Sequence, residues 1–86
     1  MEMFYVYVLY NKETKELYKG FTKNLKLRFE QHKKGLVVAT KNRNPLTLIY
    51  YESCLSQQDA THREKYLKTY HGKQFIKQRL KSYLTG

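Results

Sequence analysis

Residues Phe4 to Tyr10 read FYVYVLY, an uncharged run of mostly aromatic and β-branched side chains in a chain whose formal charge is +10. A stretch of that composition is a strand. The polar turn NKETKE bounds it, and a second short run, Leu17 to Phe21, follows at hairpin distance, so the chain opens as a β-hairpin. If the pleat holds along the first strand, Tyr5 and Tyr7 share one face while Val6 and Val8 point to the other.

After Gly20, Thr22 or Asn24 can cap a helix on which Leu25, Phe29 and His32 recur at helical spacing, and Lys34-Gly35 can end it in a left-handed cap. Val37 to Pro45 shows little periodicity and reads as a basic loop, leading into a third strand at Leu46 to Tyr51. Ser56 and Asp59 resemble a capping box ahead of a helix carrying Ala60, Glu64, Leu67 and Lys68, with Gly72 placed to stop it. A last helix, Lys73 to Leu84, offers Ile76, Leu80 and Leu84 as a buried stripe. The order is β-β-α-β-α-α: an α+β fold in which a three-stranded, mainly antiparallel sheet needs helices against it to complete one core. At 86 residues, with no repeat and no linker-like stretch, residues 1–86 are expected to form a single domain.

Charge narrows the function. Seventeen Lys and Arg against seven Asp and Glu repel one another unless a polyanion relieves them, which points to nucleic acid. Neither a long amphipathic helix nor an apolar span is present, so a membrane role is not expected. The single Cys54 provides neither an internal disulfide nor a Cys-rich zinc site, and Glu2 stands where a secretory signal would carry a cation. A reducing cytoplasm is the expected location.

The seven carboxylates, Glu2, Glu13, Glu16, Glu30, Glu52, Asp59 and Glu64, are scattered, which disfavours a two-metal centre. One carboxylate can still hold Mg²⁺, because that ion keeps much of its hydration. Glu64, between Arg63 and Lys65 on a helix, is the best single ligand, although its position alone favours an exposed ion pair. His32, His62 and His71 lack zinc-site spacing, and the four glycines make no phosphate-cradling motif. Tyr5, Tyr7 and Tyr18 belong to the hairpin; packing is the usual fate of such residues, and a catalytic phenol needs its pKa lowered, for which Lys19 and Arg28 can supply the field. Arg28 and His32 share one face of the first helix, either as part of a solvated basic surface or as a phosphate clamp with its neighbour.

Taken in order, VYVL at 6 to 9, LYKGFT at 17 to 22, LRFEQH at 27 to 32, TLIYYE at 47 to 52 and REKYLK at 63 to 68 resemble the GIY-YIG endonuclease family over nearly the whole chain. The likeness is closest to short, single-domain bacterial members, which are similar to the N-terminal nuclease module of the excision-repair endonuclease. It implies Mg²⁺- or Mn²⁺-dependent hydrolysis of DNA phosphodiesters, leaving a 5′ phosphate and a 3′ hydroxyl. By the resemblance, Tyr7 is the general base or its relay, Tyr18 orients water and phosphate, Arg28 clamps the transition-state oxygens, His32 tunes or accepts the tyrosine proton, and Glu64 binds the metal. Three features depart from the family pattern: Val6-Tyr7-Val8 lacks the glycine and isoleucine of the first signature, Lys19 replaces an apolar residue of the second, and only Gln74 and Gln78 stand where some relatives carry an asparagine.

The expected nucleic-acid contacts are Lys19, Lys23, Lys41, Arg43, Lys65 and Lys68. Branched, damaged or single-stranded DNA, in repair or recombination, is the expected substrate, with selectivity from substrate shape or a protein partner. The alternative is a non-catalytic nucleic-acid binder that retains the nuclease fold. A small ribosome-associated basic protein would account for the charge and leave the five ordered motifs unexplained.

Overall fold

The computed structural model describes residues 2–86. Its elements are β1 (Phe4–Asn11), β2 (Glu16–Thr22), α1 (Leu25–Lys33), a 3-10 turn (Val38–Thr40), β3 (Thr47–Cys54), α2 (Gln57–Leu67), α3 (Tyr70–Arg79) and α4 (Lys81–Thr85). The fold is α+β, and both strand pairings in the sheet, ordered β2-β1-β3, are antiparallel. The FYVYVLY run is therefore the central strand, hydrogen-bonded on both edges and covered on both faces.

The pleat divides its side chains as expected. Val6 and Val8 pack with Ala60, Leu67 and Ile76 beneath α2 and α3, whereas Tyr7 and Leu9 pack with Leu46 and, less deeply, with Tyr18, Leu25, Phe29 and Leu48 beneath α1. Two small cores share one strand. The hairpin turn is fastened by Asn11, whose Oδ1 accepts the amides of Glu13 and Thr14 while its Nδ2 donates to the Arg43 carbonyl at 2.7 Å. A buried amide that satisfies both of its ends in this way ties the turn to the loop before β3.

Of the two possible caps for α1, Asn24 is the one used: its Oδ1 accepts from Leu27 N at 3.1 Å, and Thr22 Oγ1 accepts from Asn24 N. The helix ends as expected, with Gly35 in the left-handed region at φ 73°. β3 runs on to Cys54, beyond the expected Tyr51, because Glu52, Ser53 and Cys54 complete the pairing with Val6, Tyr5 and Phe4. α2 is capped by Ser56, as read.

Gly72 does not stop α2. That helix ends at Leu67, and Thr69 caps α3, its Oγ1 accepting from Gly72 N at 3.1 Å. Gly72 is buried inside α3, where any Cβ would fall on the Tyr66 carbonyl and the Leu67 backbone, so the glycine serves close packing of two helices. The expected continuous helix Lys73 to Leu84 is two, broken at Leu80, whose ψ of 27° leaves the helical region. Ile76 is fully buried, but Leu80 and Leu84 are only partly covered.

One polar clamp sets how α2 lies on the sheet. Arg63 on α2 donates two 2.9 Å hydrogen bonds to Glu52 on β3, and Tyr50 adds a third. The Arg63 guanidinium also lies over the rings of Phe75 and Tyr66. Arg63 holds the Glu52 carboxyl below the usual range, and this bidentate geometry fixes the rotation of the helix that carries Glu64.

Candidate active site

Tyr7 is 3% exposed, and directly across from it on β2 stands Gly20. Because Gly20 has no side chain, the phenol ring lies over it: a Cβ there would coincide with Tyr7 Cζ and Oη. The glycine of the second signature is thus the gap through which the Tyr7 hydroxyl reaches the β2 edge.

That hydroxyl is held by α1. Tyr7 Oη and His32 Nε2 are 2.8 Å apart, and Arg28 Nε donates to Tyr7 Oη at 3.4 Å. His32 Nδ1 and Thr40 Oγ1 are 2.6 Å apart, with both residues buried. Where the phenol donates to Nε2, Nδ1–H donates to Thr40, and Arg28 supplies the second hydrogen bond to the phenol oxygen. Burial, reinforced by the Arg28 cation, pushes the His32 pKa below its ordinary value of 6.5, so the ring is neutral at pH 7 and its Nε2 lone pair is free to accept.

The phenol itself runs opposite to the sequence expectation. Its pKa is raised, chiefly by burial, with Arg28 only partly offsetting this and Glu64 adding to it. Lys19, expected to lower it, lies on the other face of β2, and the opposing cations are Arg28 and Lys68. Tyr7 at neutral pH is therefore a protonated phenol hydrogen-bonded to His32 rather than a standing phenolate.

Tyr18 carries the one buried side-chain polar atom without a hydrogen-bond partner among the described residues, its hydroxyl. Burial and the charge of Glu16 raise its pKa, which keeps the group protonated and able to donate. Glu64 enters the same cleft from α2, 21% exposed, with Lys68 one turn on at 3.2 Å. A partly exposed pair of this kind contributes little stability. Tyr7, Tyr18, Arg28, His32 and Glu64 all line one cleft of about 470 Å³.

Of the expected nucleic-acid contacts, Lys19 and Lys68 line this cleft, and Lys73, overlooked in the sequence, lines it too. Lys23 lies instead in a groove with Tyr5 and Tyr51, on the far side of α1. Lys65 is exposed on α2, and Lys41 and Arg43 follow the 3-10 turn; none of the three lines the cleft, although the charge of Arg43 reaches Tyr18. Thr40 was also overlooked, since a threonine in an aperiodic loop carries no sequence signal until the loop is seen folded against His32.

No group of three or more His, Cys, Asp or Glu gathers anywhere among the described residues. A divalent ion here would take Glu64 as its protein carboxylate and fill its remaining positions with water and substrate oxygens. That donor set suits Mg²⁺ or Mn²⁺ and not a structural zinc.

Residues 3–81 match the model of the GIY-YIG catalytic domain. The chain belongs to the GIY-YIG family. It is 36% identical over 78 residues to the UPF0213 protein SH2523 of Staphylococcus haemolyticus, covering 90% of this chain and 94% of that one. It is 40% identical over 81 residues to a UPF0213 protein of Pediococcus acidilactici, covering 91% and 78%. A UPF0213 protein of Limosilactobacillus reuteri is 41% identical over 70 residues, with 78% and 72% covered. No solved structure matches the chain. The family is one of nucleases that use divalent metal ions on DNA, and no helix among the described residues is long and apolar enough to cross a membrane.

Thr40→Val provides a test of whether His32 accepts the Tyr7 proton during DNA cleavage. Without an acceptor at Nδ1 the imidazole relaxes to the tautomer with its hydrogen on Nε2, which can no longer take the phenol proton. Cleavage kcat is expected to fall about 10-fold with KM little changed, the acid limb of the pH profile is expected to move lower still, and Thr40→Ser is expected to restore the parent profile. In the parent, that limb is expected below the ordinary imidazole range, because burial and the Arg28 cation push the His32 pKa down. A profile unchanged by Thr40→Val would remove His32 from the proton path.

Proposed function

We propose that the chain is a Mg²⁺- or Mn²⁺-dependent endonuclease that hydrolyses DNA phosphodiesters. The observation that carries this reading is the buried hydroxyl pair: Tyr7 hydrogen-bonded to a neutral imidazole, and Tyr18 with no well-formed hydrogen bond and only Glu16 near its hydroxyl, in one cleft with Arg28 and Glu64. A non-catalytic DNA-binding surface has no need of either arrangement.

The chain's own groups divide the work as follows. Attack on phosphorus requires a proton to leave the incoming water. As Tyr7 Oη takes that proton, its own passes to His32 Nε2, so no free phenolate is needed and the raised pKa of Tyr7 is no obstacle. The Arg28 side chain, which bonds to Tyr7 Oη and to Gln31, presents its remaining donors to the phosphoryl oxygens as charge builds on them. Tyr18 donates to a phosphate oxygen or to the water and gains there the partner it lacks. Glu64 would hold the divalent ion, which when bound would supply charge neutralisation for the transition state. Positioning and charge stabilisation thus carry most of the acceleration.

The proposed substrates are branched, damaged or single-stranded DNA met in repair or recombination in the cytoplasm, with shape or a protein partner providing selectivity. The deciding assay incubates the purified protein with single-stranded, duplex, flap and junction DNA in Mg²⁺, in Mn²⁺ and in excess EDTA. Metal-dependent cleavage absent in EDTA is expected. Binding without cleavage on every substrate and metal would establish the alternative, a binder retaining the nuclease fold.

A further inference from the structure

The surface least accounted for by the reacting groups lies on the other face of β2. Leu17 and Phe21 on that face pack against the Val6 and Val8 core, and the pleat places Lys19 between them, where an apolar side chain would complete the row. Lys19 is half-buried there. Lys73 and Lys77, one turn apart on α3, lie beside it, and Lys15 stands at the hairpin end; the four line a depression of about 270 Å³ together with Glu16 and Leu17. None of these four lysines makes an ion pair among the described residues, and the neighbouring Lys68 is joined to Glu64. Glu16 is the one carboxylate in the depression.

A half-buried ammonium surrounded by others of its own sign is an expensive arrangement in a small fold. Burial, and then Lys73, Lys68 and Lys77, depress the Lys19 pKa, as such crowding requires. An anion seated among these lysines removes that repulsion. The depression also shares Leu17, Lys19 and Lys73 with the lining of the catalytic cleft, so the two open into one another across the β2 edge.

We propose that Lys19, Lys73 and Lys77 seat a backbone phosphate of the DNA strand next to the one in the cleft, so that the strand leaves the Tyr7–Glu64 cleft across β2 and along α3. The strand's direction rests on the endonuclease reading; the phosphate seat itself does not. The departure at Lys19 from an apolar signature residue then has a use: it exchanges a core contact for a hold on the substrate. Lys23, just ahead of α1, and Lys26 on it line a different groove and lie off this path.

The test is salt-dependent binding of a labelled DNA duplex in EDTA, where nothing is cut. Lys73→Gln/Lys77→Gln, both on an exposed helix face, is expected to weaken binding about 10-fold near 0.1 M salt and to flatten the slope of log affinity against log salt by about 2. Lys19→Met, checked by circular dichroism for retained fold, is expected to add about one further unit. A charge-matched control, Lys34→Gln/Lys81→Gln, is expected to stay within about 2-fold of the parent. An unchanged slope in the α3 pair, or an equal loss in the control, overturns the seat. If the parent cuts DNA with Mg²⁺ while the slope stays fixed, only the seat fails. If the slope shifts as expected but no condition yields cleavage, the endonuclease reading fails and the seat stands.

Discussion

Glu64→Gln is expected to lower metal-dependent DNA cleavage about 1,000-fold while leaving duplex affinity in EDTA equal to the parent's or slightly tighter. A loss of that size corresponds to about 4 kcal/mol of transition-state stabilisation, within the range of a single metal's contribution. The replacement is nearly isosteric, and its amide oxygen can still accept from Lys68, so packing of α2 changes little. Removing the negative charge also relieves one of the influences that raise the Tyr7 pKa. The proton path is therefore left no worse, and a loss of activity reports on the metal alone. Initial rates on a nicked-plasmid assay across a Mg²⁺ titration, beside affinity by fluorescence anisotropy, supply the two readouts. Activity within tenfold of the parent at saturating metal would falsify the assignment of Glu64.

Gly20→Ala is expected to reduce cleavage about 100-fold, with a smaller effect on folding. The new methyl group falls on the phenol carbon and oxygen of Tyr7. The backbone of Gly20 is not in the left-handed region, so an alanine strains no dihedral there and acts through the collision alone. The ring has little freedom to yield, being 3% exposed and held by His32 and Arg28 at its oxygen. A displacement near 1 Å breaks the 2.8 Å contact with Nε2 and carries the hydroxyl out of register with the reacting atoms, a disturbance known to cost about two orders of magnitude in rate. Overpacking of this kind lowers stability by about 1–3 kcal/mol, which urea unfolding resolves. Full activity in a folded Gly20→Ala protein would mean that the Tyr7 hydroxyl is not where the reaction occurs.

Much of this was legible before any coordinates. The hairpin, the Asn24 region as a cap, Gly35 as a left-handed stop and Ser56 as a second cap rest on interactions among residues close in sequence, and such interactions act much the same in any fold. The five candidate residues that share one cleft were singled out for a different reason: each falls in a short motif on a regular element, and the order of the motifs carried the resemblance. Gly72 was misread because a glycine near a helix end signals a stop locally, whereas here its role is set by the Tyr66 carbonyl packed against it. The rise in the Tyr7 pKa was missed because a count of nearby cations contains no measure of burial. Thr40 escaped because its contact with His32 depends on how an aperiodic loop folds back on α1, and the α3 lysines escaped because Lys19 comes from a distant strand. The Arg63–Glu52 clamp spans 11 residues, and both partners sat inside quoted motifs, yet nothing in either motif announces that they meet.

The placement of β1 has a mechanical corollary. The same eight residues, Phe4–Asn11, supply the apolar ribs of two cores and the hydroxyl that His32 and Arg28 hold. Alternate side chains along it answer to different demands, yet they share one backbone, so a repacking event at Val6 or Val8 shifts Tyr7 without touching it. A substitution at either apolar rib is thus coupled to the cleft through the backbone, whereas one on an exposed helix face is not.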